Sequence, residues 1–143
     1  MSNLNLFLKK NKIQKENTTY AATKSLCDEK GNALLWEIKP LTTKENEDIR
    51  EGCTFEIPVK GKPNLFRPKV NTNLYIAKMI VSSIVEPNLY NAELQDSYGV
   101  KTPEDLLKEM INDPGEYNEF AAFVQQFNGF NTTMEDKVEE AKN

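Results

Sequence analysis

The chain has 143 residues, 38% of them apolar and 28% charged, with a formal charge of −4 and no histidine. That length suits one domain with its own core, and the composition is that of a folded chain with generous polar loops. The lack of histidine removes the usual general base, the commonest metal ligand and the pH switch.

Residues 4–13 could form a short amphipathic helix. Its apolar cluster Leu4, Leu6, Phe7 and Leu8 precedes the lysines, the reverse of a signal peptide, so a cytoplasmic address is expected. Tyr20–Cys27 and Ala33–Pro40 read as two strands around the turn 28–32, with Leu34, Trp36 and Ile38 alternating onto one buried face. Gly31 supplies the positive φ such a turn requires. Thr42 and Glu45 form a capping box, Gly52 is placed as the C-terminal stop, and the helix between them buries little except Ile49. Phe55, Ile57 and Val59 alternate as a further strand. The stretch Lys60–Lys69 holds four cations, no acid and two prolines, and is expected to be an exposed loop or irregular ribbon.

From Asn71 to Val85 the sequence is apolar nearly all round. It is predicted as the central buried helix, capped by Asn71 or Thr72 and ended at Glu86-Pro87. The β-branched run 80–85 leaves a buried strand as the other reading. Residues 91–130 then divide into three helices. Asn91 opens the first and Gly99 closes it; Thr102, Pro103 and Asp105 open the second; Asp113, Pro114 and Glu116 open the third, which Asn128-Gly129 ends. Tyr117, Phe120, Ala121, Phe123, Val124 and Phe127 recur at helical spacing as a core stripe, so Trp36, Ile80 and Phe120 are expected in one core. Residues 131–143 have little to bury and are expected to form a flexible tail. The fold class expected is α+β: an N-terminal β-hairpin and short strands packed on a central buried helix, with a helical C-terminal third.

The charge is unevenly spread. Residues 1–85 carry 14 basic and 9 acidic side chains, whereas residues 86–143 carry 4 basic and 13 acidic ones. Solvated ends explain this, as would two faces for different partners. No segment approaches the ~20 apolar residues of a membrane helix. Cys27 and Cys53 stand alone, which suits reduced thiols and neither a zinc site nor a cytoplasmic disulfide. Gly61-Lys62 is followed by Pro63, so no phosphate-binding loop exists there. No nucleophile–base pair is evident, and neither an enzymatic activity nor a cofactor is expected. The helices around Tyr98–Lys101 superficially resemble a helix-turn-helix. Residues 91–130, however, hold eight acids against Lys101 and Lys108, a charge that DNA would repel.

The segments NAELQDSYGV and PEDLLKEMINDPGEYNEF, preceded in order by WEIKPLTTKENEDIREGCT and VNTNLYIAKMIVSSIVEPNL, resemble the XkdN-like tail assembly chaperones of contractile-tailed phages and phage-derived particles. The resemblance covers roughly Asn3 to Phe130. It implies a non-structural protein of the host bacterial cytoplasm, absent from the mature particle, that keeps the tape measure protein soluble until the tail tube polymerises around it. The tail tube protein is a second candidate partner, and neither nucleic acid nor membrane is expected. The alternatives are an adaptor retained in the tail or baseplate and, third, a small DNA-binding regulator. The resemblance carries no residue-level binding motif. Exposure and charge alone single out Lys60, Lys62, Phe66, Arg67 and Lys69, and at the end of the last helix Phe127 and Phe130, as candidate partner contacts.

Overall fold

The computed structural model describes residues 3–130. The expected flexible tail, 131–143, lies outside them. The elements run α1 (Leu4–Phe7), a 3-10 turn (Lys9–Asn11), β1 (Thr18–Tyr20), β2 (Trp36–Ile38), α2 (Thr43–Gly52), β3 (Thr54–Pro58), β4 (Phe66–Val70), α3 (Thr72–Ser83), β5 (Ile84–Glu86), α4 (Ala92–Ser97), α5 (Pro103–Met110) and α6 (Pro114–Phe127). The fold is α+β, with a three-stranded antiparallel sheet ordered β1-β2-β5 and a separate β3-β4 ribbon.

Each helix from α2 onward starts on a side-chain cap. Thr42 and Glu45 form both halves of the capping box, and Asn71, Asn91, Thr102 and Asp113 each accept from the backbone N–H three residues on. These bonds satisfy donors that the first helical turn leaves open. Gly99 and Gly129 adopt φ +70° and +91° just past α4 and α6, a region that glycine enters without a Cβ penalty. Gly52 departs from expectation. It is the last residue of α2, and Cys53 caps the helix with its N–H on the Arg50 and Glu51 carbonyls.

The N-terminal hairpin forms with shorter strands than the sequence suggests. Tyr20 pairs with Trp36, the chain then loops outward, and a single bridge joins Cys27 to Ala33 beside the turn. In that turn Asp28 Oδ1 accepts from the N–H groups of Lys30 and Asn32, while Gly31 takes φ +86°. Leu34, expected inside, is exposed, because pairing ends at Trp36 and its alternation no longer faces the core.

α3 is the central buried helix, but it stops at Ser83 rather than Val85. There the Ser83 carbonyl accepts the Lys39 N–H at 2.7 Å, and residues 84–86 continue as β5 against β2. The helix reading therefore holds up to Ser83; the buried strand read over 80–85 does not, since the strand spans only Ile84–Glu86 and Val85 is exposed. One apolar cluster unites Trp36 and Ile38 of β2, Tyr75 to Val81 of α3, Leu106 and Leu107 of α5 and Phe120 to Val124 of α6. Trp36, Ile80 and Phe120 are all at most 2% exposed.

Candidate partner-binding surface

β3 and β4 pair along their whole length, from Thr54↔Val70 to Pro58↔Phe66. Cys53, just before β3, is buried, and its carbonyl accepts the Asn71 N–H at 2.8 Å. Val70 packs on the core beside it, and Thr54 Oγ1 donates to the Arg50 carbonyl. Beyond these contacts most ribbon residues are exposed, with Ile57 and Val59 half-buried. Phe55, Leu65 and Phe66 are exposed, Phe66 by 57%.

The tip is closed by Val59 N–H on the Leu65 carbonyl at 2.9 Å, with Gly61 at φ +77° and Asn64 at φ +65° making the reversal. Directly opposed residues of an antiparallel pair share a face. One face therefore carries Phe55 with Lys69 and Ile57 with Arg67, and the other carries Phe66 with Pro58. Lys60 and Lys62 lie in the tip loop. The ribbon thus alternates apolar and cationic groups, with Glu56 its only acid between Thr54 and Val70. Isolated two-stranded ribbons are marginal in water, so the packing of Cys53 and Val70 on the core anchors this one.

Phe127 and Phe130 occupy different ground. Both are half-buried. Phe127 stacks 6.0 Å from Phe123, and Lys15 Nζ sits 4.3 Å above its ring. Phe130 borders a cavity of about 260 Å³ with Leu41, Thr42, Thr43, Asn46 and Asn128. Asn128 fixes this corner: its Oδ1 accepts the Leu41 N–H at 2.7 Å, and its Nδ2 donates to the Val124 carbonyl. The two sets of candidate contacts are not brought together. Phe130 lies at the start of α2 and the ribbon leaves from its end, about 15 Å away along ten residues.

Electrostatics elsewhere serve packing. Glu116 clamps the loop after β1, accepting from Thr23 Oγ1 at 2.7 Å and from Lys24 N–H at 2.8 Å. Lys78 and Glu104 join α3 to α5 at 3.1 Å, and Glu104's hydrogen bond and charge raise the Lys78 pKa. Burial raises the pKa of Tyr75, whose hydroxyl donates to Asn46 Oδ1, and that of Cys53. Cys27 is exposed, and both cysteines are free thiols. Among the described residues no acidic, cysteine or histidine cluster could hold a metal, and no helix is long and apolar enough to cross a membrane.

Sequence reasoning found the ribbon's cations and Phe66 and read Leu65 within an exposed stretch, but it missed Phe55 as an exposed group and singled out neither as a contact. The Pro63-Asn64 pair between two short alternating runs is the signal that could have shown a projecting hairpin.

Residues 4–142 match the sequence profile described as Phage XkdN-like tail assembly chaperone protein. The phage-like element PBSX protein XkdN of Bacillus subtilis (strain 168) is 28% identical over 141 residues, 98% of this chain and 93% of its own. Protein YqbN of the same strain is 26% identical over 140 residues, with the same coverage. The crystal structure of the protein YqbN superposes with a TM-score of 0.75 at 20% identity, covering 92% of this chain and 99% of its own, which establishes a shared fold. The chain belongs to the XkdN-like phage tail assembly chaperones, which are not an enzyme family.

Proposed function

We propose that this chaperone binds the tape measure protein of its tail, in several copies per chain, and keeps it soluble until the tail tube polymerises around it. Membership of a tail assembly chaperone family over residues 4–142 carries this reading. A tape measure protein is long and largely helical, and an unencased helix with an apolar stripe aggregates through it. The β3-β4 ribbon is the contact that suits such a stripe. Phe55, Ile57, Leu65 and Phe66 supply apolar surface, while Lys60, Lys62, Arg67 and Lys69 meet acidic flanks. Phe127 and Phe130 form a secondary contact through their half-exposed edges. An interface of this size is small, so single copies bind weakly and are released as tube subunits close in.

The protein acts in the host cytoplasm and leaves before the particle is complete, with the tail tube protein as the partner that displaces it. Two measurements test this. The chain should co-purify with its tape measure protein from producing cells at several copies per chain, and it should be absent from purified particles. A chain found stoichiometrically in finished particles would instead be a retained adaptor.

A further inference from the structure

Outside the ribbon, and apart from Val85 and Tyr90, the exposed large apolar side chains of the described residues fall in two places. The first is the N-terminal segment. Phe7 is 82% exposed and Ile13 92%, and Leu6 and Leu8 also face solvent. The same stretch holds Lys9, Lys10, Lys12 and Lys15, and residues 4–15 contain no acid. It leaves the body where Lys15 covers Phe127.

The second place is a cleft of about 320 Å³ between β2, the end of β5 and helices α4 and α5. Leu34, Leu35, Leu94 and Tyr98 line it over the Trp36 ring, with Glu86 at its edge. Leu35 is 64% exposed. Nearby, α4 presents Glu93 and Asp96, and α5 presents Glu109. Residues 86–130 hold nine acids against Lys101 and Lys108. None of residues 4–15 lines the cleft of its own chain.

We infer that this cleft receives the N-terminal segment of a second copy, with Leu6 and Phe7 as anchors and the lysines toward Glu86 and the exposed acids of α4 and α5. Charge complementarity selects the occupant: the projecting apolar segment is wholly cationic, whereas Glu86 is the one charged residue lining the cleft, and two of its walls, α4 and α5, carry five acids against Lys108. Donor and acceptor are different surfaces, so the contact is head-to-tail and generates a ring or an open chain. Few side chains are buried, so it falls below the ~1,200 Å² of a stable interface, and association depends on concentration. The inference concerns the isolated chain and does not depend on which tail protein it binds.

Sedimentation equilibrium of the full chain at low and high salt tests it. The average mass should rise above the monomer's as concentration increases, and salt should oppose this, because the Debye length shrinks to about 10 Å at 0.1 M. A Leu6→Ser/Phe7→Ser double variant and a Leu35→Glu variant should each associate at least about tenfold more weakly, with thermal stability unchanged because the altered side chains are exposed. Mixing the two variants should give a 1:1 pair that grows no further, since one intact donor and one intact acceptor remain. A wild-type chain that stays monomeric at every attainable concentration would overturn the inference, as would association that Leu35→Glu leaves intact. A monomer whose Leu35→Glu variant loses co-purification with the tape measure protein would assign the cleft to that partner instead.

Discussion

Phe120 lies between two aromatic neighbours from the N-terminal hairpin. Tyr20 stacks on it at 5.4 Å and Trp36 meets it edge-on at 5.8 Å, with interplanar angles of 10° and 76°. Both arrangements suit the ring quadrupoles. The contacts tie α6 to β1 and β2, so one side chain holds together segments 84 to 100 positions apart. Phe120→Ala should remove about 3–5 kcal/mol, a large part of the stability of a domain this size, and urea unfolding should show it as a lowered midpoint. An unchanged midpoint would mean that the packed ring contributes little. Glu116 acts beside it in the same sense, since its two hydrogen bonds hold the loop that follows Tyr20 against the start of α6.

At the scale of elements, α2 shows what its cap is worth. Thr42 Oγ1 accepts the Glu45 N–H at 3.1 Å, and Glu45 Oε1 accepts the Thr42 N–H at 3.0 Å. The Thr42 N–H bond is the main cause that lowers the Glu45 pKa below its ordinary 4.5, with the Lys39 charge helping and burial opposing. A lowered carboxylate pKa gives stability that is fully present above the unfolded-state value and is lost as the pH falls through the folded value. Unfolding midpoints measured from about pH 6 to about pH 3 should therefore fall less steeply for Glu45→Gln than for the wild type. Thr42→Ala should cost about 1 kcal/mol near neutral pH.

Caps of this kind were the most legible part of the sequence. Asn71, Asn91, Thr102 and Asp113 each bond a residue three positions away, so the information is local. The strands were less legible because their partners are distant. Ile84 turns from helix to strand only because Ile38 lies opposite it, nearly fifty residues earlier. For the candidate surface, the basic charge of Lys60–Lys69 was plain, but its projection depends on the pairing of Thr54–Pro58 with Phe66–Val70. Phe127 was read both in the core stripe and as an open contact at the helix end, and it packs partly against the core. Lys15, more than a hundred residues away, covers it, and no local pattern encodes that contact.

The whole molecule divides its labour by region. One core built from β2, α3, α5 and α6 sets the shape, while the ribbon and the N-terminal segment reach outward with cations and open apolar groups. The acidic C-terminal third keeps net negative charge on the protein, which under the proposed function would keep a coated apolar helix in solution. This arrangement suits the proposed function, in which many copies bind weakly and are released. The most direct test is the fraction of tape measure protein left in the supernatant after centrifugation of cells that produce it alone, with the wild-type chaperone, or with a Phe66→Ser/Arg67→Glu variant. The wild type should hold most of the tape measure protein in solution. The variant, altered only at exposed ribbon positions, should fold normally and rescue little. A tape measure protein that pellets equally in all three cases would contradict the account.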